Sequence, residues 1–119
     1  IRTGKMISDN KIIHFEDLGI FKILCQDVLV DELEDFYNSS LKPLVEYDKK
    51  KSTDLVRTLE SYFYHRGNLT RMSESLFTHY NTVLYRINRI NEITGMDLNN
   101  SNDSLNLEIA LKIKEIMEN

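Results

Sequence analysis

The sequence predicts an all-α fold, a helical bundle that contains a helix-turn-helix. Apolar residues recur at helical spacing through most of the chain, and asparagine, threonine and glycine stand where helices are expected to start or stop. The only proline, Pro43, falls where one helical pattern is interrupted. With 119 residues, 41% hydrophobic and 29% charged, the chain suits one domain plus a short appendage. No apolar run is long enough to cross a bilayer, so we expect no membrane partner.

The N-terminal part is predicted to be a remnant of another domain followed by a helical lead-in. Residues 1–15 have the pattern of the tail of a preceding domain, with a brief strand over residues 11–15. Residues 16–50 form the lead-in, whose first helix starts at Glu16. Its second helix opens with acidic residues and is interrupted near Pro43. The apolar positions of these two helices are Leu18, Phe21, Ile23 and Leu24, then Leu33, Phe36, Tyr37, Leu41, Leu44 and Val45.

Residues 51–119 are predicted to form a helix-turn-helix domain. Ser52 or Thr53 is expected to cap an amphipathic helix that stops at Gly67. Asn68 or Thr70 then caps a short second helix. The apolar positions of the first helix are Leu55, Val56, Leu59, Tyr62 and Phe63, and those of the second are Met72 and Leu76.

A tight turn over residues 77–79 leads into a longer predicted helix, Tyr80–Thr94, which ends at Gly95. Its core face on a helical wheel is formed by Val83, Ile87 and Ile90. A second stripe, spaced i, i+3, i+4, i+7, contains Thr82, Tyr85, Arg86 and Arg89. A last helix follows through Leu105 and Ile113, although alternating polarity at its start leaves a strand as the competing prediction there.

Charge is unevenly distributed along the chain. The net charge of −4 argues by itself against a nucleic-acid partner. Residues 65–90, however, carry 4 basic and 1 acidic group, whereas the segments before and after them are net acidic. The basic groups of this central segment are all arginines, namely Arg66, Arg71, Arg86 and Arg89. Arginine is suited to bidentate contacts with phosphate and guanine.

A short helix, a turn and a longer helix with polar and cationic residues in front are typical of a helix-turn-helix that reads DNA. In the major groove, arginine can pair with guanine, asparagine with adenine, and threonine with a phosphate or a thymine methyl group. The same residues have ordinary roles as well, because exposed arginines are commonly solvated and His79, Asn81 or Thr82 can cap a helix start. The pattern alone therefore leaves both interpretations open.

Several motifs in the chain resemble a known family. One motif is L-x-x-H-x-N-T-x-x-Y-R, formed by Leu76, His79, Asn81, Thr82, Tyr85 and Arg86. The tripeptide I-T-G follows it. The upstream segments FEDLGIFKIL (residues 15–24) and LKPLVEYD (residues 41–48) are of the same kind. Together they resemble bacterial transcription regulators of the PucR/CdaR type, the purine-catabolism and sugar-diacid regulators, whose C-terminal helix-turn-helix is similar to that of Fis. The resemblance covers nearly the whole chain from Phe15 onward.

The resemblance implies a sequence-specific DNA-binding output domain at the C-terminus of a longer regulator, after a sensing or GGDEF-like region. The recognition helix is then about residues 80–94, in the major groove of double-stranded DNA. Because such readers usually bind paired sites, we expect a homodimer or higher assembly of the full-length protein. The effector stays unassigned. The residues expected to contact DNA are His79, Tyr80, Asn81, Thr82, Tyr85, Arg86 and, as a backbone clamp, Arg89.

The chain departs from the family pattern at four positions. Ser73 stands where alanine is usual, and Phe77 where the turn usually has glycine. Tyr80 and Leu84 occupy positions that are often basic, so less positive charge faces the groove. Either they widen the packed stripe beside Ile87, or they alter or weaken the site preference. We favour packing for Leu84 and leave Tyr80 open.

Other functional classes have little support. The residues Cys25, His14, His65 and His79 are scattered and form no metal or catalytic spacing, so we expect no enzyme, no cofactor and no metal site. A single cysteine and the lack of a signal-peptide pattern favour the cytoplasm. The remaining alternative is a helical interaction or oligomerisation module without DNA affinity, in which residues 18–45 mediate assembly.

Overall fold

A computed structural model describes residues 30–118, and every regular element in this range is an α-helix. The all-α prediction is confirmed for this range. The predicted tail and strand within residues 1–15, the helix starting at Glu16, and Cys25 lie outside the described residues. The helices are α1 (Val30–Ser40), α2 (Lys42–Lys51), α3 (Leu55–Tyr64), α4 (Leu69–Ser75), α5 (Tyr80–Thr94) and α6 (Ser101–Glu118).

The interruption predicted near Pro43 is confirmed as the break between α1 and α2. Pro43 lies in the first turn of α2, where its missing N–H leaves no helical hydrogen bond unmade. Proline therefore begins the second helix rather than ending the first. Asp31 and Glu32 occupy the first turn of α1, where the helix dipole favours negative charge.

One hydrophobic core joins the helices. The helices α3, α4 and α5 pack against one another, α2 contacts α1, α3 and α5, and α1 packs along α6. The predicted core face of α5 is confirmed. The buried residues that form this core are Leu41, Leu44, Leu55, Leu59, Met72, Val83, Ile87, Ile90, Leu98, Leu107 and Ala110.

The last element is a helix and not the competing strand. Asn100 accepts a hydrogen bond from the backbone N–H of Asp103 at 3.0 Å, and Asp103 in turn accepts one from the N–H of Asp97 at 3.0 Å. The first bond satisfies an N–H donor in the first turn of α6, and the second ties the preceding loop to that turn. Packing of α1 against α6 partly buries Tyr37. Burial raises the pKa of the Tyr37 hydroxyl, and the neighbouring Lys114 ammonium opposes that change.

The start of α3 is held by Asp48, a residue of the preceding helix. Its carboxylate accepts hydrogen bonds from the backbone N–H groups of Leu55 and Val56, both at 2.8 Å, and from the Thr53 hydroxyl. Such N–H groups have no partner within their own helix. The prediction that Ser52 or Thr53 caps α3 is therefore wrong. Ser52 instead closes α2 in a left-handed conformation, with φ 55°.

Asp48→Ala is expected to lower the free energy of unfolding by about 2 kcal/mol, because it removes the acceptor of three hydrogen bonds. Asp54→Ala is the matched control: Asp54 occupies the N-cap position of α3 but makes no side-chain capping bond. We expect a loss of about 0.5 kcal/mol there, through the helix dipole alone. Urea unfolding compares the two, and equal losses would contradict the role assigned to Asp48.

Candidate nucleic-acid interface

The helices α4 and α5 form a helix-turn-helix in which each helix is capped by a side chain. Asn68 Oδ1 accepts from the Arg71 N–H at 3.0 Å, and His79 Nδ1 accepts from the Asn81 N–H at 3.0 Å. The capping role considered for His79 is thus confirmed. Because Nδ1 accepts, the neutral ring carries its proton on Nε2, which leaves a donor on an exposed side chain.

The C-terminal end of α5 falls where it was predicted. Gly95 has φ 71°, a left-handed conformation that glycine adopts without strain, and its N–H donates to the Asn91 carbonyl. The Asn91 side chain accepts from the Leu98 N–H at 3.1 Å, which ties the helix to the following loop. Both ends of α5 are therefore defined by local hydrogen bonds.

The turn between α4 and α5 contains a strained residue. Phe77 has φ 53°, a region that costs a non-glycine residue about 1–2 kcal/mol. Its side chain is 91% exposed, so burial does not offset this cost. This is the position at which the family resemblance leads one to expect glycine.

The exposed face of α5 is rotated relative to the stripe predicted from the helical wheel. Thr82, Arg86 and Arg89 are half-buried, whereas Tyr85 is 65% exposed. Leu84 is 41% exposed, so the packing that we favoured for it is not observed. Sequence reasoning also missed Asn88. From Tyr80 to Asn88, the exposed residues of α5 are Tyr80, Asn81, Leu84, Tyr85 and Asn88.

The two arginines of α5 have different surroundings. The Arg89 Nε and Nη2 atoms donate to the Tyr47 hydroxyl on α2 at 3.3 and 3.2 Å, and Nη1 donates to Glu92 at 2.8 Å. The guanidinium also lies over the Tyr47 ring, 5.2 Å from its centroid. The hydrogen bonds that Arg89 donates to Glu92 and Tyr47 raise the pKa of its guanidinium, so it stays cationic. Arg86, by contrast, has no hydrogen-bond or ion-pair partner among residues 30–118.

The other two arginines of the basic segment lie near the start of α4. Arg66 is exposed and has φ 53°, next to Gly67 with φ 78°. The positive φ of Gly67 suits glycine, since other residues adopt this conformation only with strain. Arg71 is exposed and lines a shallow depression with His65 and Thr70. Two arginines of the basic segment thus reach the surface near the start of α4.

Between residues 30 and 118, no group of three or more His, Cys, Asp or Glu side chains is arranged to hold a metal ion. None of the helices there combines the length and the apolar character needed to span a membrane.

Residues 55–113, from the start of α3 into α6, match the family model of the PucR C-terminal helix-turn-helix domain. The chain belongs to this family. The predicted resemblance is thereby confirmed.

Curated relatives extend the similarity beyond this domain. The chain is 34% identical over 104 residues to the DNA-binding transcriptional activator AdeR of Bacillus subtilis. The matched residues are 86% of this chain and 24% of AdeR. The chain is 38% identical over 98 residues to the carbohydrate diacid regulator of Escherichia coli, covering 80% of this chain and 26% of the regulator. The proline-responsive activator PutR of B. subtilis is 30% identical over 115 residues, which is 95% of this chain and 28% of PutR.

The chain therefore spans about a quarter of the length of these relatives. A match over 104 of 119 residues includes α1 and α2 as well as the helix-turn-helix. The lead-in helices therefore share in the family similarity.

No solved structure gives a significant match to the chain.

Phe77→Gly is expected to be more stable than Phe77→Ala by about 1 kcal/mol. Glycine accepts the positive φ, whereas alanine keeps the Cβ atom that causes the strain. Both variants lose the same exposed ring, so the comparison isolates the backbone. Thermal unfolding of the two proteins measures the difference, and equal stabilities would show that the turn is not strained.

Tyr47→Phe is expected to release the Arg89 side chain, because it removes the hydroxyl that accepts two of its N–H bonds and keeps the ring. In ¹⁵N–¹H NMR spectra, the Arg89 Nε–H signal should be resolved in the wild type and lost to rapid exchange in the variant. Tyr64→Phe is the control, since Tyr64 is 83% exposed and should leave the signal unchanged. A signal that survives in Tyr47→Phe would contradict the tether.

Proposed function

We propose that this chain is the sequence-specific DNA-binding output domain of a bacterial transcription regulator, with α5 as the recognition helix in the major groove of duplex DNA. Family membership supports a DNA-binding helix-turn-helix. The observation that carries the proposal is Arg86, a cation on the second helix of the motif without a partner between residues 30 and 118. An unpaired guanidinium beside an exposed helix face is suited to a phosphate or a guanine.

The residues at the N-terminal end of α5 have the chemistry to read bases. In helix-turn-helix proteins, this end of the recognition helix reaches the base edges. Asn81 is exposed and can pair with adenine, while the His79 Nε2–H can donate to a base or a phosphate. Tyr80 and Tyr85 present exposed rings with hydroxyl groups, and the half-buried Thr82 lies beside them near the phosphates.

Arg89 keeps its predicted role as a backbone clamp in a modified form. A guanidinium has five N–H donors, and the bonds to Tyr47 and Glu92 use three of them. The remaining donors can contact a phosphate while α2 holds the side chain in one orientation. In this proposal Tyr47 positions Arg89 and does not itself touch DNA.

The whole regulator has further proposed properties. We propose that it works as a homodimer or higher assembly in the cytoplasm, that the helix-turn-helix domain follows a sensing region, and that the chain catalyses no reaction. Because a single module makes few phosphate contacts, the isolated chain should bind weakly. Repulsion between the net-negative remainder of the chain and DNA should further favour approach through the basic face.

The alternative, an assembly module formed by residues 18–45, has less support from the packing of its described part. Leu41 and Leu44 are fully buried in the core, and Phe36 and Tyr37 are partly buried against it. Between residues 30 and 45, these apolar side chains are thus used within the chain itself.

Fluorescence anisotropy with duplex DNA from the region upstream of the protein's own gene tests the proposal. Wild-type affinity should fall by about 0.9 log unit per log unit of salt for each phosphate contacted. Arg86→Ala should cost about 1–3 kcal/mol of binding free energy, whereas Arg57→Ala, on the exposed side of α3, should cost much less. If the wild type binds no duplex at low salt, even when fused to a dimerising coiled coil, the proposal fails.

A further inference from the structure

The exposed face of α5 contains one aliphatic side chain among polar ones. Leu84 is 41% exposed and lies one helical turn from Asn81 on one side and from Asn88 on the other. Tyr80, also one turn away, is 45% exposed. The core side of the helix is already filled by Val83 and Ile87, which are buried. Packing within the chain therefore does not explain a leucine at this position.

The chemistry of the major groove restricts what such a leucine can contact. Base edges there present hydrogen-bond donors and acceptors and a single apolar group, the C5-methyl group of thymine. Leucine placed against a donor or acceptor displaces water and offers no replacement bond, which disfavours that base pair. Leucine placed against the methyl group buries apolar surface on both partners.

The neighbours of Leu84 favour the same base pair. Asparagine can form two hydrogen bonds to adenine, and Asn81 and Asn88 flank Leu84 on the exposed stripe. An A·T pair presents adenine to an asparagine and the thymine methyl group to an adjacent apolar side chain. The stripe Asn81, Leu84 and Asn88 is therefore chemically suited to A·T pairs.

A second protein copy fits this surface less well. A stable interface buries about 800 Å² on each partner. One leucine and one tyrosine, with asparagines beside them, provide too little apolar area for such an interface. The surface is also continuous with the residues proposed to contact DNA.

We propose that Leu84 is a specificity-determining residue that packs against a thymine methyl group, so that the DNA sites of this chain carry A·T pairs opposite the first two turns of α5. This inference rests on the proposed function and adds to it the class of sequence that is read. Tyr80 borders the same contact and excludes water from it.

Replacement of thymine by deoxyuridine tests this proposal, because the replacement removes only the methyl group. The duplex is one selected by the wild-type chain from a random library at low salt, and each thymine is replaced in turn. At one or two positions the wild-type affinity should fall about fourfold, the factor expected for one buried methyl group. In Leu84→Ala the leucine side chain is already absent, so loss of the thymine methyl group should change the affinity by less than about 1.5-fold.

Leu105→Ala is the matched control, because Leu105 is 54% exposed on α6, away from the helix-turn-helix. It should keep the wild-type response to deoxyuridine. Leu84→Gln is a second variant, to be used if circular dichroism shows that Leu84→Ala is poorly folded. It should also lose the response to deoxyuridine.

The outcomes separate this inference from the proposed function. If the wild type binds DNA in a salt-dependent manner but responds to no deoxyuridine, the role of Leu84 is overturned and DNA binding stands. If both Leu84 variants keep the full wild-type response to deoxyuridine, the role of Leu84 is overturned as well. If the chain binds no duplex at low salt, dimerised or not, both proposals fall together.

Discussion

The carboxylate of Asp48 joins the lead-in helices to the helix-turn-helix, and the geometry of the site depends on it. Asp48 belongs to α2 but supplies the hydrogen-bond acceptor for the first N–H groups of α3. Its chain neighbour Tyr47 contacts Arg89 on α5. Two consecutive residues of one helix therefore hold the first and the third helix of the domain. Since α4 packs against both α3 and α5, the relative orientation of all three is constrained from α2.

This constraint accounts for the two different sides of α5. Arg89 is bonded to Tyr47 of α2, and Arg86, one turn before it, is half-buried. Leu84 and Asn88 are exposed. A charged edge beside a more neutral face is the arrangement expected when a helix rests its edge on phosphates and turns its face to bases. Arg86 and Arg89 are compatible with an acidic chain because positive charge is needed only locally, at that edge.

Sequence reasoning was most successful where structure is decided locally. The cap at Asn68, the end of α5 at Gly95 and the break near Pro43 depend on a residue and its immediate neighbours, and each was predictable. The cap from Asp48 comes from another helix, and the Tyr47–Arg89 contact joins residues far apart in the sequence, so neither has a local signal. The exposed face of α5 was misjudged for the same reason. A helical wheel ranks polarity, whereas exposure on α5 depends on which of its sides α2, α3 and α4 cover.

Three of the four positions at which the chain departs from the family pattern are exposed. Phe77, Tyr80 and Leu84 lie at or near the start of α5, whereas the family-like Thr82 and Arg86 are half-buried on that helix. Contacts to phosphates orient a protein on DNA without reading sequence, whereas contacts to base edges distinguish one site from another. If Thr82 and Arg86 form the first kind of contact, members of a family can keep one docking geometry. Substitutions on the exposed face then change the site that is read, without disturbing the core that holds α5 in place.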